Sequence, residues 1–346
     1  MKKLLSMIAA LSILAASFTA CGSNASAPAA DTTTPTTAAA AAENAAQTEG
    51  TKEFKVAIVQ QLDHASLDEI RLAIEDELTK RAAEEGITIT YKEFNGQNDT
   101  TVLNQIGAQV VSDQYDAILP IATLAATTMA TATEENQIPV IYAAISDPAS
   151  SELTGIANVT GTSDALNTAF ILDMMLAAQP DIETVGLLYS NSEVNSVTPI
   201  AEAKEYLDSK GIAYIEKTGN STDEILTAAS ALVGRVQAVF TPTDNVVMAA
   251  EGAVAEILNE AGIPHYTGAD SFVAAGAFTT CGVNYTELGA YTADMAVDIL
   301  LGGAVPEYHV MDGGIITVNT DTAKTLGIDY SVFSTMAGTV KEVTTE

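Results

Sequence analysis

Hydrophobic positions divide the 346-residue chain into three stretches of different character. Residues 1–20 place Lys2 and Lys3 before an apolar run, which is typical of a secretory signal peptide and too short for a membrane-spanning helix. Residues 21–53 are rich in Ala, Thr, Ser and Pro and poor in large apolar side chains, so we expect a disordered stalk. From residue 54 onward, apolar residues recur with the periods of strands and helices, which predicts a folded body.

Within the body, short β-rich runs alternate with amphipathic helical segments. Strands are predicted at 54–59, 87–91, 117–120 and 139–142, with helices at 67–84, 101–111 and from 124 onward. A similar series starts at 185–189 and continues with strands at 212–215, 238–240, 264–266 and 277–279. This order predicts an α/β fold of two similar lobes, each with a parallel sheet covered by helices.

A late helix at 285–301 and a late strand at 315–318 are left over after the two series. We expect them to cross back and complete the lobes through several hinge crossovers. The predicted first lobe comprises 54–162 completed by about 284–305, and the second comprises 163–283 completed by about 306–346.

The signal peptide is followed at once by Cys21. Phe18-Thr19-Ala20-Cys21 resembles a bacterial lipobox, whose cysteine is acylated and becomes the mature N-terminus. Lipidation of Cys21 would anchor an extracytoplasmic protein to the cell membrane. The alternative is a plain secreted protein cleaved near Ala20.

Charge and cysteine content exclude several classes of function. The chain carries 45 acidic and 14 basic residues, for a net charge of −31. Long-range repulsion therefore opposes nucleic acid and anionic lipid as partners. With Cys21 lipidated, only Cys281 remains, and we expect it to be a buried apolar side chain. His64, His265 and His309 lack the spacing of metal ligands, so neither a metal nor a cofactor is expected.

Six polar loops follow predicted strands, where parallel sheets bind their ligands. Each loop has an ordinary explanation: Ser66 with Glu69 matches a capping box, and Thr123 and Asp244 suit helix caps. Together they favour a small zwitterion, because helix N-termini attract a carboxylate and Asp147, Asp244 or Asp270 would pair with an ammonium. The loops are 60–66, 121–126, 144–148, 189–196, 241–245 and 268–271.

These loops carry a resemblance to a known family. The chain resembles the ABC-transporter substrate-binding lipoproteins associated with tryptophan, tyrosine and related aromatic amino acids, over about residues 54–302. The resemblance implies a type I periplasmic-binding-protein fold, in which two Rossmann-like lobes close on the ligand. The matching segments are HASLDEI (64–70), ATLAA (122–126), SDPASSEL (146–153), NVTGTSD (158–164), YSNSEVNS (189–196), TPTDN (241–245) and GADSFVAAGAFTTCGVNYTELG (268–289).

The resemblance also implies which residues bind the ligand. We assign the ligand ammonium to Asp270 or Asp244, and its carboxylate to hydroxyls and helix N–H groups. The first lobe would contribute His64, Ser66, Leu67, Thr123, Leu124, Ser146 and Asp147, and the second Asn195, Ser196, Thr243, Asp244, Asn245 and Asp270.

Further expectations concern the hinge and the aromatic contacts. Asn158, Gly161 and Asn284 are hinge candidates, and Tyr142, Tyr285 and Phe272 are candidates for contacting an aromatic ring. The chain departs from the family pattern at Ala65, where proline is common, and at Asn284, where aspartate is expected.

The sequence thus predicts a monomeric, membrane-anchored receptor that delivers an amino acid to an ABC permease by hinge closure. An enzyme is disfavoured because no GxSxG, P-loop or strand-linked GxGxxG motif is present. A ligand-binding sensor without a transport role is the remaining alternative.

Overall fold

The computed structural model describes residues 51–337 and 339–345. The predicted signal peptide, Cys21 and the stalk up to residue 50 lie outside these residues. The strands are β1 (Glu53–Gln60), β2 (Thr88–Asn95), β3 (Ala117–Ile121), β4 (Val140–Tyr142), β5 (Val159–Ser163), β6 (Thr184–Tyr189), β7 (Ala213–Thr218), β8 (Ala238–Thr241), β9 (His265–Thr267), β10 (Thr279–Gly282), β11 (His309–Val310), β12 (Ile315–Asn319) and β13 (Thr339–Val343). The helices are α1 (Ala65–Glu85), α2 (Thr100–Ser112), α3 (Thr123–Ala132), α4 (Thr168–Ala178), α5 (Val197–Lys210), α6 (Thr222–Ser230), α7 (Asn245–Met248), α8 (Glu251–Glu260), α9 (Asp270–Ala274), α10 (Tyr285–Leu300) and α11 (Thr320–Leu326).

The first lobe is built on a parallel sheet with the strand order β11-β5-β4-β3-β1-β2. Alternate side chains of its central strands enter different cores. On one face Val56 and Ile58 pack with α1 and α10, and on the other Ala57 and Val59 pack with α2 and α3. The apolar face predicted for the first helix is the buried face of α1. The lobe is therefore a three-layer sandwich of helices, sheet and helices.

The second lobe repeats this architecture with the strand order β13-β12-β10-β9-β8-β6-β7. Its strands run parallel except at the β10–β12 pair, which is antiparallel. Leu187 and Phe240 pack against α4 and α5, while Leu188 and Val239 face α6 and α8. Cys281 is buried in this core as a free thiol, as expected. The predicted α/β fold with two mainly parallel sheets is confirmed.

The chain crosses between the lobes three times. The crossings lie between β5 and α4, between β10 and α10, and between β11 and β12. Because β11 pairs with β5, the third crossing follows Val310 rather than residue 305. The two-residue, exposed strand β11 carries no hydrophobic pattern that the sequence could reveal.

The three hinge candidates occupy different positions. Asn284 lies at the second crossing, where its side chain caps α10 by accepting from the Glu287 N–H at 3.1 Å. Asn158 lies inside the first lobe and donates to the Ile138 carbonyl oxygen at 2.7 Å. Gly161 is within β5, where a Cβ would overlap the carbonyl oxygen of Tyr142. The close approach of β4 and β5 therefore explains this glycine.

Within the described part of the chain, no helix combines the length and the apolar character needed to cross a bilayer.

Candidate ligand-binding site

The carboxyl-end loops of both sheets converge on one pocket between the lobes, which we call the cleft pocket. In this closed arrangement its cavity volume is about 20 Å³, which is room for little more than one water molecule. Both lobes contribute to its wall. The lining residues are His64, Ser66, Leu67, Ala122, Thr123, Ala144, Ser146, Asp164, Asn195, Thr243, Asp244, Asn245, Met248, Ala269, Phe272 and Tyr285.

The two walls of the cleft pocket are hydrogen-bonded to each other. Ser146 Oγ and Thr243 Oγ1 are 2.9 Å apart, and His64 Nε2 and Asn245 Oδ1 are 3.0 Å apart. The Ser66 hydroxyl contacts the hydroxyl of Ser271. These pairs hold the lobes together in this structure. A ligand of a dozen heavy atoms must separate some of them to enter, so binding requires the lobes to move.

The first-lobe wall includes the start of α3 and two alanines with a strained backbone. The residue before α3 is Ala122, with φ 73° and ψ 164°, and Ala144 in the next loop has φ 58°. Both are strained conformations for a residue with a Cβ, and such strain is concentrated at functional sites. The first backbone N–H groups of a helix have no partner within the helix. At α3 the Ala122 N–H donates to the Ala143 carbonyl oxygen and the Leu124 N–H to Gln61 Oε1, which leaves the N–H of Thr123, a residue of the pocket wall, available for an anion.

The predicted helix caps in the first lobe are wrong. His64, not Ser66, precedes α1, and Ala122, not Thr123, precedes α3. Ser66 therefore lies in the first turn of α1, where its hydroxyl reaches across the cleft to Ser271. Glu69 accepts from the Thr286 hydroxyl at 2.6 Å instead of closing a capping box. Ser66 and Thr123 both line the pocket.

Asp164 is a buried carboxylate in the pocket wall that was not among the ligand-binding residues predicted from the sequence. It follows β5 at the first crossing and is only 5% exposed. Its Oδ1 accepts from Ser146 Oγ and its Oδ2 from the Tyr285 hydroxyl, both at 2.9 Å. Burial raises the pKa of Asp164, while the two hydroxyl donors lower it. Asp164 is the last residue of the segment NVTGTSD (158–164), so the sequence indicated its position but not its role.

The Asp244 carboxylate makes its hydrogen bonds within the second lobe. Its Oδ1 accepts from the N–H groups of Val246 and Val247 at 3.1 and 3.0 Å, which caps α7. Its Oδ2 accepts from the Ser190 N–H and the Ser196 hydroxyl, both at 2.7 Å. The side chain is completely buried. Four donors therefore already share the carboxylate that we considered for the ligand ammonium.

Nine of the thirteen predicted ligand-binding residues line the cleft pocket, and four do not. Leu124 donates its N–H to Gln61 Oε1, and Ser196 binds Asp244. Asp147 accepts from the Thr198 hydroxyl at 2.7 Å. Asp270 faces Lys341 at 3.3 Å and is partly exposed. Neither aspartate is in contact with the pocket space.

The apolar part of the wall comes from both lobes. Leu67 of α1 faces Met248 and Phe272 of the second lobe across the pocket, and Tyr285 adds its ring at the second crossing. Tyr142, the third aromatic candidate, is buried in the sheet of the first lobe and does not line the pocket.

A buried polar chain connects the lobes beside the pocket. Glu193 accepts from Gln61 Nε2 at 3.1 Å and from Asn245 Nδ2 at 2.6 Å. Burial, followed by the negative charge of Asp244, raises the pKa of Glu193 to about 7. His64 completes the chain through Asn245, and burial lowers its pKa. Gln61 and Glu193 lie in loops that the sequence singled out, although neither was chosen as a site residue.

Among the described residues, no cluster of three or more His, Cys, Asp or Glu side chains is arranged to hold a metal ion.

Comparisons with known proteins agree with this architecture. Residues 55–339 match the family model described as "ABC transporter substrate binding protein". A "Tyrosine-binding protein" from Clostridioides difficile (strain R20291) is 30% identical over 332 residues, covering 94% of this chain and 92% of the relative. The match supports the transport interpretation and gives no support to a sensor without a transport role.

Two solved structures are informative because they are about equally similar in sequence. An ABC domain in complex with L-Trp from Streptococcus pneumonia is 30% identical with a TM-score of 0.77, covering 84% of this chain and 100% of that one. A ligand-free, open substrate-binding protein with adhesive properties from Clostridium difficile is 32% identical with a TM-score of 0.64, covering 85% and 100%. The lower score against the open structure agrees with the lobe-to-lobe contacts described above.

The type I periplasmic-binding-protein arrangement is confirmed by these similarities. The chain belongs to the family of ABC transporter substrate-binding proteins, which are extracytoplasmic proteins that bind a small molecule and present it to a membrane permease, and which are not a class of enzymes.

Proposed function

We propose that this protein is the lipid-anchored receptor of an ABC importer for an aromatic amino acid, which it holds as a zwitterion between its lobes. The observation that carries the proposal is the buried Asp164 carboxylate in the cleft pocket, together with Thr123 at the start of α3 in the same pocket. Asp164 suits a positive group of the ligand, and the start of α3 suits a negative group.

The ligand ammonium is assigned to Asp164. This carboxylate has two hydroxyl donors, and an ionised carboxylate has lone pairs for more hydrogen bonds. A bound ammonium would favour the ionised form and offset the desolvation that raises the Asp164 pKa. Asp270 and Asp244, the earlier candidates, are engaged by Lys341 and by four donors of the second lobe.

The ligand carboxylate is assigned to the start of α3. Thr123 adds a hydroxyl to its own N–H there, and the helix dipole favours a negative charge at this end. Ser146 lies between this helix start and Asp164, since it follows β4 and binds Asp164. The two charged groups of one amino acid are joined through a single carbon atom, which suits neighbouring sites of this kind.

The side chain of the ligand is assigned to the apolar wall formed by Leu67, Met248 and Phe272. The relatives favour an aromatic side chain, because one is named as tyrosine-binding and another was solved with L-Trp. Contacts to both lobes then stabilise the closed arrangement, and rotation about the three crossings, with Asn284 at the second, opens it.

The lipid anchor is assigned to Cys21 on the basis of the lipobox-like segment. Cells that express the Cys21→Ser variant should release the protein or retain an uncleaved precursor, whereas the unchanged chain should fractionate with membranes and incorporate labelled fatty acid. Equal labelling of the two chains would contradict the assignment. We also propose a monomer, which size-exclusion chromatography with light scattering tests.

The ligand class is tested by a thermal-shift screen of the purified protein against the proteinogenic amino acids, with sugars and nucleosides as comparison ligands. A ligand that binds only the folded protein raises Tm with its concentration. We expect the largest shift with tyrosine or tryptophan. A shift with a sugar or nucleoside and none with any amino acid would overturn the proposal.

A further inference from the structure

The hydrogen-bond chain beside the cleft pocket fixes the orientation of the Asn245 amide. Asn245 Nδ2 lies 2.6 Å from Glu193 Oε2, and the other Glu193 oxygen accepts from Gln61 Nε2 at 3.1 Å. When Glu193 is ionised its carboxylate only accepts hydrogen bonds, so the NH₂ group of Asn245 then faces Glu193. Its carbonyl oxygen, Oδ1, therefore faces His64.

The same chain fixes the tautomer of His64. Nε2 of His64 lies 3.0 Å from Asn245 Oδ1, which only accepts, so Nε2 must carry a hydrogen and donate. Desolvation lowers the pKa of His64, which keeps the ring neutral. A neutral imidazole with a hydrogen on Nε2 has a free lone pair on Nδ1. The chain of hydrogen bonds from Glu193 through Asn245, which we call the relay, therefore makes His64 Nδ1 a hydrogen-bond acceptor.

This acceptor is buried beside the pocket. His64 lines the cleft pocket, and its Nδ1 is buried without a hydrogen-bond partner among the residues that the structure describes. A buried acceptor without a donor is unfavourable, and filling the site with a ligand that brings a donor removes this cost. We infer that His64 Nδ1 accepts a hydrogen bond from the ring of the ligand, so that the site selects aromatic amino acids with a ring O–H or N–H over phenylalanine. This inference rests on the proposed function.

The topology favours the ring of the ligand, rather than its ammonium, as the donor. Asp164 follows β5 and His64 follows β1, and β4 and β3 lie between these two strands. Neighbouring strands are about 4.8 Å apart, which puts the axes of β5 and β1 about 14 Å apart. An amino acid bound through its ammonium at Asp164 therefore presents its far end toward His64.

The selectivity is tested by calorimetric titration at about pH 8, where Glu193 is mainly ionised. The ligands are tyrosine, tryptophan and phenylalanine, and the proteins are the unchanged chain, His64→Leu and His309→Leu. His309 is exposed on β11 and stacks on Tyr291, so its variant is the matched control. The unchanged chain and the control should bind the better of tyrosine and tryptophan at least about tenfold more tightly than phenylalanine.

The readout is the ratio of the affinities, because loss of the His64–Asn245 contact affects all three ligands alike. In His64→Leu the ratio should fall close to one. Equal binding of the three ligands by the unchanged chain, or a ratio that His64→Leu leaves intact, would overturn the inference. If none of the three binds, the proposed function itself fails.

A second measurement does not depend on the stability of a variant. The chain has three histidines, so long-range ¹H–¹⁵N spectra resolve each ring. His64 should show the neutral form with the hydrogen on Nε2, and its Nδ1 resonance should move on addition of tyrosine but not of phenylalanine. A hydrogen on Nδ1 in the ligand-free protein would contradict the relay.

Discussion

The two walls of the cleft pocket differ in how they use their polar groups. In the first lobe, the helix that begins at Thr123 follows a strained alanine, and Thr123 faces the pocket. In the second lobe, Asp244 caps α7 and also holds the Ser190 and Ser196 loop, so one carboxylate serves four donors. The strained turn at Ala122 and Thr123 lines the pocket in the first wall, whereas the Asp244 loop of the second wall is held by its own hydrogen bonds.

This difference indicates that the two walls of the cleft pocket have different roles in ligand binding. A wall whose loops are internally hydrogen-bonded keeps its shape when the lobes separate, which suits a cover that closes as a rigid body. The first-lobe wall, with its strained backbone at the start of α3, suits recognition of a charged group, because a bound anion would supply a hydrogen-bond acceptor there. Asp164 lies at the first crossing between these walls, where a ligand contact would affect closure directly.

The largest expected effect is on Asp164. Asp164→Asn removes the charge proposed to pair with the ligand ammonium, and loss of one partner of a buried charge pair costs about 2–5 kcal/mol. Calorimetric titration should therefore show at least about thirtyfold weaker binding of the aromatic amino acid. Asp181→Asn, on an exposed turn residue of the second lobe that does not line the pocket, is the control. Equal affinity of the two variants would remove the proposed role of Asp164.

The second effect concerns the stability of the second lobe. Asp244→Ala removes the cap of α7 and leaves the buried N–H of Ser190 without its acceptor, which should lower the free energy of unfolding by about 2–4 kcal/mol. Urea unfolding measures this change. Asp270→Ala, which removes a partly exposed ion pair with Lys341, should cost less than about 1 kcal/mol. Comparable losses in both variants would contradict the framework role of Asp244.

A smaller effect, of opposite sign, is expected in the first lobe. Ala122 has φ 73° and ψ 164°, a region that glycine adopts readily. Ala122→Gly should raise the free energy of unfolding by about 0.5–1 kcal/mol, because relief of strain exceeds the added entropy of the unfolded chain. Ala125→Gly, in the buried interior of α3, should lower it. A loss of stability in Ala122→Gly would show that the strain assigned to this wall is absent.

The smallest effect is a pH dependence. Glu193 has a pKa of about 7 when buried and an ordinary value of 4.5, so its contribution to stability is complete below about pH 4.5 and is lost as the pH rises through about 7. The Tm of the unchanged chain minus that of Glu193→Gln should therefore fall between about pH 5 and pH 8. Groups remote from Glu193 cancel in this difference. The corresponding difference for Glu216→Gln should stay flat, since the pKa of Glu216 lies below its ordinary value.

Much of the fold could be predicted because buried strands and amphipathic helices leave a periodic pattern. The buried face of α1 and the restart of the α/β pattern at β6 are both visible in the sequence. Strand β5 was missed because its segment, VTGTS, contains only one large apolar residue. The hydroxyl of Thr162 in this strand binds a distant partner, the hydroxyl of Thr292, at 2.8 Å. Such pairings form only when the whole chain is folded, so the sequence pattern does not reveal them.

The loops of the site could be located from sequence, but the role of each side chain could not. Asp164, Asp244 and Asp270 are indistinguishable as residue types next to strands. Their surroundings separate them: Asp164 meets two hydroxyls in the pocket, Asp244 four donors within its own lobe, and Asp270 a lysine near the C-terminus. Apart from the two α7 N–H groups that Asp244 caps, these contacts join residues far apart in the chain, so local pattern carries no trace of them.

The most direct test of the account is a crystal structure of the protein with tyrosine or tryptophan bound. We predict that the ligand ammonium lies about 2.7–3.2 Å from the Asp164 carboxylate, with the ligand carboxylate at the start of α3 beside Thr123. An ammonium bound to Asp270 or Asp244, or a ligand outside the cleft pocket, would contradict the division between the two walls.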